Sequence, residues 1–333
     1  MFGGQLIGVD VGGTKVAVAT LEDARLSDSL VRPTDVSSAD GLVEEIVARV
    51  EGARSARTAG VGVGVPSVVE FATGRARSSV NLHLADFDLR DALRERLGLP
   101  VFVDNDATVA ALAEAFDESG RPVVQILVMF TVGTGLGGGL VLGGKVYRGA
   151  TGAAGELGHT LVGADLRQGV PPSLEFPQRG ALESLVSGRI LDHQAAKIAA
   201  DSPASALGKL AAGGRKVDGH DAVEAAKGGD PEAIEALRAL GERLGIGIAN
   251  ALNTFDPDEV VVGGGVSTAG ELLLGPAREV ARRFALPGVG ERTEIRLARH
   301  GRQAGVRGAA LLAGLELSKG DEAFIAPREA EPA

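Results

Sequence analysis

Two glycine-rich turns of one design, about 120 residues apart, constrain this chain more than any other feature. The first, Asp10-Val11-Gly12-Gly13-Thr14-Lys15, lies between apolar runs at 6–9 and 16–19. The second, Thr131-Val132-Gly133-Thr134-Gly135-Leu136-Gly137-Gly138-Gly139, lies between 123–130 and 140–142. Each reads as strand, tight Gly/Thr turn, strand. Glycine lets backbone N–H groups come close to an anion, and threonine adds a hydroxyl donor. Two such turns facing one another would grip a polyphosphate from both sides. The expectation is an old duplication: two related domains with a cleft for a nucleotide triphosphate.

The rest of the pattern is α/β. Residues 6–9, 16–19 and 26–31 read as three strands of a meander. Residues 39–50 place Leu42, Val43, Ile46, Val47 and Val50 at helical spacing. A strand at 60–65 ends at Pro66, and Asp88 is the expected N-cap of a helix over 89–97. A buried strand at 101–103 runs into Asp104-Asn105-Asp106, and a helix follows over 107–116. Beyond the second turn, the Gly/Pro-rich stretch 164–180 reads as a loop. Helices are expected over 181–200, 231–254 and 269–284, with Pro231 in a favoured first turn. A strand at 260–262 enters Gly263-Gly264-Gly265. The last helix is expected over 302–317, ahead of a polar, fraying tail at 318–333. The 333 residues accommodate two domains. We expect them at 1–116, with helix 302–317 returning to that lobe, and at 117–301.

Charge and composition remove several classes of function. A net charge of −10 offers no surplus of Lys and Arg for nucleic acid. No cysteine is present, which excludes disulfides and thiolate metal sites and fits a reducing cytoplasm. Asp10 falls too early for a secretory signal, and no apolar run approaches the ~18 residues of a membrane span. The expectation is a soluble, cytoplasmic chain with no nucleic-acid or membrane partner.

Each candidate site competes with a plainer explanation. Gly133, Gly135 and Gly138 fit G-x-G-x-x-G, but that fingerprint needs a helix after the turn, and residues 140–142 read as strand. Asp104-Asn105-Asp106 could be a helix cap, yet a cap needs one such residue and not three. At the end of a buried strand, a carboxylate here could take a proton from a substrate hydroxyl while Asn105 holds a neighbouring one. Gly155-Glu156-Leu157-Gly158-His159 sets two polar groups among glycines, either as a solvated loop or as a polyol site.

Taken in order, these motifs and Val262-Gly263-Gly264-Gly265-Val266-Ser267 resemble the ROK family of bacterial sugar kinases and repressors, most of all its glucokinases. The resemblance runs from about Leu6 to Leu315. It implies the actin-like, ribonuclease H-like ATPase fold, two α/β lobes around a central cleft. It implies ATP and Mg2+ as cofactors and transfer of phosphate to a hexose 6-hydroxyl, with glucose first among acceptors. On the matching positions, Gly12, Gly13, Thr14 and Lys15 meet ATP phosphate from the first lobe, and Thr134, Gly135 and Gly137 from the second. Gly264 and Gly265 lie beside adenosine. Asp106 matches the catalytic base. Asn105, Glu156, His159 and Glu183 match sugar-hydroxyl ligands, and Ser67 falls where the first lobe reaches the sugar. Asp10 organises Mg2+ through water. The family also implies a homo-oligomer, dimer or tetramer. Alternatives are mannose, fructose or an N-acetylated amino sugar as acceptor, polyphosphate as donor, or a non-catalytic sugar sensor. A repressor is disfavoured, since that branch places a helix-turn-helix before the first glycine turn and nine residues precede Asp10 here.

The chain departs from the family at one point. Many members carry C-x-C-G-x-x-G-C-x-E after the Gly-Glu-x-Gly-His loop, whose three cysteines and histidine hold a structural zinc. Aligned back from Glu183, this chain has Leu174, Phe176 and Ala181 there. Three apolar side chains cannot ligate zinc, and His159 alone does not suffice. The expectation is a zinc-free loop pinned by burial of Leu174 and Phe176. Elemental analysis of purified protein is expected to find no stoichiometric zinc; one tightly held zinc per chain would overturn this.

Overall fold

The structure, a computed structural model, describes residues 3–325 apart from 14, 34–37, 80, 81, 118, 164–166 and 168–175. Thr14 and Leu174 therefore lie outside the described residues. The chain divides into two compact units, 1–123 with 303–333, and 124–302.

In the first unit, β1 (Gln5–Val11) and β2 (Lys15–Glu22) form an antiparallel hairpin across the first glycine turn. Gly12 N–H donates to the Lys15 carbonyl at 2.8 Å and closes the turn. The expected third strand is split into β3 (Arg25–Leu26) and β4 (Leu30–Pro33), both paired with β2. On its other side β1 pairs in parallel with β5 (Thr58–Val65), and β5 with β8 (Val101–Asn105). A separate small hairpin joins β6 (Val68–Glu70) to β7 (Arg75–Ser78).

The sequence of β5 shows why the sheet packs as it does. Strand geometry sends alternate side chains to opposite faces. Val61, Val63 and Val65 enter one core with Leu42, Val43 and Ile46 of α1 (Ala39–Ala53) and Leu89 and Leu93 of α2 (Leu89–Leu97). Gly62 and its β1 neighbour Gly8 face the other way. A Cβ at Gly62 would overlap the Ala309 carbonyl, and one at Gly8 the Val306 carbonyl. Both carbonyls belong to α9 (Ala304–Ile325), whose backbone thus lies directly on the strands. Gly308 of α9 lies equally close to the Val109 carbonyl of α3 (Asp106–Ala115).

Three expectations need correction here. Asp88 does not cap α2 with its side chain; its carboxylate takes Arg75 at 3.0 Å instead. The last helix does not end at 317 but continues to Ile325, because nothing before Pro327 forbids the α conformation and Lys319 pairs with Glu316 at 2.6 Å. Residues 117–122 stay with the first unit: Phe116 bridges Pro122, and Val123 N–H returns to the Ala115 carbonyl at 2.9 Å.

The second unit repeats the first in strand order. β9 (Leu127–Val132) and β10 (Leu136–Leu142) are antiparallel across the second glycine turn, and β11 (Lys145–Val146) extends β10. β12 (Glu259–Gly263) and β13 (Glu294–Leu297) add in parallel. The order β11-β10-β9-β12-β13 matches β3-β2-β1-β5-β8, with the same strand senses. The helix expected over 181–200 is a 3-10 turn, Leu182–Ser184, followed by α4 (Gly188–Asp201). Two short helices were not legible: α5 (Ala206–Ala212) and α6 (Gly219–Lys227). α7 (Pro231–Phe255) is capped by Asp230, whose carboxylate accepts from Glu232 and Ala233 N–H at 3.1 Å. It packs on α8 (Glu271–Phe284), with Gly245 close to the Ala277 carbonyl. No described helix is long and apolar enough to cross a membrane.

Gly62→Ala is expected to destabilise the protein by about 3 kcal/mol, because the clash is with backbone that cannot swing aside. Gly52→Ala in α1, where the added methyl meets nothing, should gain about 0.5 kcal/mol. Denaturant unfolding of both variants reads the contrast; equal effects would refute this account of the seat of α9.

Candidate active site

Parallel strands deliver side chains to one edge of the first unit's sheet. Asp10 lies near the end of β1, Ser67 just after β5, and Asp104-Asn105 at the end of β8. Asp106 is the first residue of α3. The ends of three adjacent strands thus carry the first lobe's expected site, in the place where α/β sheets present ligand-binding groups.

The Asp10 carboxylate stands against Gly305 in the first turn of α9, where a Cβ would overlap it. Burial pushes its pKa up to about 7; the negative charge of Asp106 pushes the same way, and Lys15 opposes them. Asp106 is oriented by Ala107 N–H, which donates to its Oδ1 at 2.8 Å. Asn105 is the helix cap: its Oδ1 accepts from Thr108 N–H at 3.0 Å, while its amide donates to the Ser67 carbonyl at 3.3 Å. Capping therefore does explain one member of the triplet. Ser67 is 4% exposed, and its hydroxyl donates to the Ser78 carbonyl at 2.6 Å. Gly13 and Lys15 are exposed at the turn, while the Gly12 N–H is engaged in closing it.

In the second unit, Thr134 is exposed at the tip of the turn. Gly133 N–H donates to the Gly135 carbonyl at 3.0 Å. Gly137 lies beyond the tip, in β10 opposite Thr131. Gly264 has φ of +84°, and a Cβ there would overlap the Val132 backbone, so the Gly-Gly-Gly loop rests on the strand leading into the turn. Gly265 opens the 3-10 turn Gly265–Ala269. Glu183 does not stand apart from this turn: its Oε2 accepts Leu136 N–H at 2.7 Å.

Glu156 Oε2 and His159 Nε2 are 3.8 Å apart. Partial burial raises the Glu156 pKa, His159 opposes this, and the Glu183 charge adds to it. Phe176 does not bury to pin the loop. It is 51% exposed and meets the His159 ring edge-on, with centroids 5.5 Å apart. The loop is held by backbone instead: Leu182 N–H donates to the Thr160 carbonyl at 2.9 Å, Val162 N–H to Gly180 at 2.8 Å, and Leu161 bridges the fully buried Ala181. Phe176 and Ala181 offer no donor atoms, so these positions do not fit zinc. Sequence reasoning missed Gly305 and Gly188; their only signal was glycine inside a helical pattern.

Comparison with known proteins follows from this geometry. The family model described as the ROK family matches residues 6–315. A glucokinase of Halalkalibacterium halodurans is 34% identical, covering 95% of this chain and 98% of that protein. A glucokinase of Streptomyces coelicolor is also 34% identical, covering 93% and 98%. The crystal structure of a ROK family glucokinase from Streptomyces griseus, in complex with glucose and AMPPNP, is 35% identical with a TM-score of 0.81, covering 93% and 99%.

A carboxyl whose pKa is raised on folding from 3.8 to about 7 supports the folded state below the lower value. That support is lost as the pH rises through about 7. Without nucleotide, Asp10→Asn should therefore gain stability relative to the parent as the pH rises from 3.8 to about 7, and level off above it. Unfolding curves across that range check it; a constant difference would refute it.

Proposed function

The chain belongs to the ROK family, and we propose that it acts as a glucokinase, transferring the γ-phosphoryl group of ATP to the 6-hydroxyl of glucose. The actin-like ATPase fold of the family and the full-length likeness to glucokinases support this. The observation that carries it furthest is the placement of Asp10 near the end of β1 and Asp106 at the start of α3, close enough that the Asp106 charge helps raise the Asp10 pKa.

Asp106 serves as general base. It accepts the proton of the 6-hydroxyl as that oxygen attacks the γ-phosphorus, and the bond to the bridging oxygen breaks to release ADP. Ala107 N–H fixes one carboxylate oxygen, which orients the base without neutralising it. The Asp106 charge adds to burial in raising the Asp10 pKa, a combination that a divalent cation would relieve. Asp10 would hold Mg2+ through water, and the cation would neutralise charge on the phosphates. Backbone N–H groups of the two glycine turns assist in positioning them. Glu156 and His159 hold sugar hydroxyls, as does Asn105 with the amide hydrogen that neither capping nor Ser67 uses. Ser67 supports Asn105 through its carbonyl. Binding of both substrates excludes water, which would otherwise accept the phosphoryl group. The family likeness further supports a cytoplasmic homo-oligomer.

Coupled ADP-release assays should give the highest kcat/KM with glucose, above mannose, fructose and N-acetylglucosamine, and formation of glucose 6-phosphate, followed directly, should be faster with ATP than with polyphosphate. Asp106→Asn should lower kcat by at least ~10² while glucose still raises its melting temperature. Normal turnover in that variant would remove Asp106 as the base.

A further inference from the structure

The second glycine turn is fastened at both ends to a single stretch of chain. Gly133 offers its carbonyl to Gly188 N–H at 2.7 Å. Leu136 N–H donates to Glu183 Oε2 at 2.7 Å. Between these ties, Gly135 must lack a side chain, since a Cβ would stand 2.5 Å from the same oxygen. Leu136 N–H and Gly133 N–H are thus both engaged, whereas the amides of Thr134 and Gly135 make no hydrogen bond among the described residues. The stretch that does the fastening is itself anchored. Leu182 is fully buried, and Ser187 caps α4 by accepting Ile190 N–H at 3.4 Å. The same stretch anchors the Glu156–His159 loop through Leu182 N–H and the Thr160 carbonyl, 2.9 Å apart.

We propose that Glu183 is a positioning residue for the phosphate turn, bracing Leu136 from the segment that also anchors the hexose loop. This rests on the proposed function, in that it takes the turn to receive nucleotide phosphate. A carboxylate beside a phosphate site repels the ligand, so charge does not explain its position. A firm acceptor for one N–H does, because it fixes the peptide planes of the turn before the ligand arrives. The arrangement also ties the two substrates together mechanically. Any shift of the hexose loop on Leu182 is passed to the turn through the adjoining Glu183.

Calorimetric titration with a non-hydrolysable ATP analogue and Mg2+, without hexose, isolates this role from any contact with sugar. Glu183→Ala should bind about 10-fold more weakly, the loss expected for one charge-assisted hydrogen bond. Glu183→Gln keeps an oxygen acceptor and drops the charge, so it should match or exceed the parent. Gly135→Ala should bind weakly, and Gly135→Ala with Glu183→Ala no more weakly than Gly135→Ala alone, since the clash is then relieved. Melting curves establish that each variant is folded. Parental affinity in Glu183→Ala, or equal weakening in Glu183→Gln, overturns the brace and leaves the proposed function standing. Failure of the unaltered protein to bind the analogue overturns the phosphate turn and the brace with it.

Discussion

Helix α9 meets β1 and β5 backbone to backbone, and this requires Gly8 and Gly62 to carry no side chain. Close contact of this kind holds two elements at one separation, since neither surface has side chains that could adjust. Gly308 extends the constraint to α3 through the Val109 carbonyl. Both ends of the first unit's site follow from it. Asp10 is set against Gly305 at the start of α9, and Asp106 is set at the start of α3. A carboxylate at a helix start is favoured by the helix dipole, yet burial beside a second carboxylate still raises the Asp10 pKa to about 7. The sheet edge thus holds a carboxyl that binds its proton more tightly than an exposed one does.

The second unit solves the same problem by different means. Its turn lies at the same place in the same strand order, between the first two strands of the meander. There the nearby carboxylate is Glu183, and it is spent on a backbone N–H. One carboxylate is raised in pKa by burial and by a second carboxylate, and the other accepts a backbone N–H through Oε2. The two units thus share strand order and sense while the side chains beside their turns differ.

Elements with strong local signals were legible in the sequence. The two hairpins followed from Gly/Thr turns between apolar runs, and α7 from Asp230, Pro231 and a long helical period. Asp106 and Asn105 stood out because three polar residues closed a buried strand. What was hidden depended on contacts distant in sequence. Asp88 looks like a cap but finds Arg75, thirteen residues earlier. Phe176 looks like a core residue, yet Ala181 and Leu182 supply the burial and the ladder that hold the loop. The Gly/Val alternation of β5 marked a strand without saying that its bare face awaited a helix some 240 residues away. Glu183 could be aligned to a motif, but its bond to Leu136, 47 residues away, could not be read from spacing.

That late-arriving helix sets the order in which the chain can mature on the ribosome. All strands of the first unit emerge early, but the surface of β1 and β5 around Gly8 and Gly62 has no cover until residues from Ala304 onward have been made. The second unit, continuous in sequence, has its full complement of strands and helices by then. The nascent chain must therefore carry an unfinished first unit through synthesis of the second. A product released a few dozen residues early would hold every group proposed for catalysis and still lack the part that sets Asp10 in place.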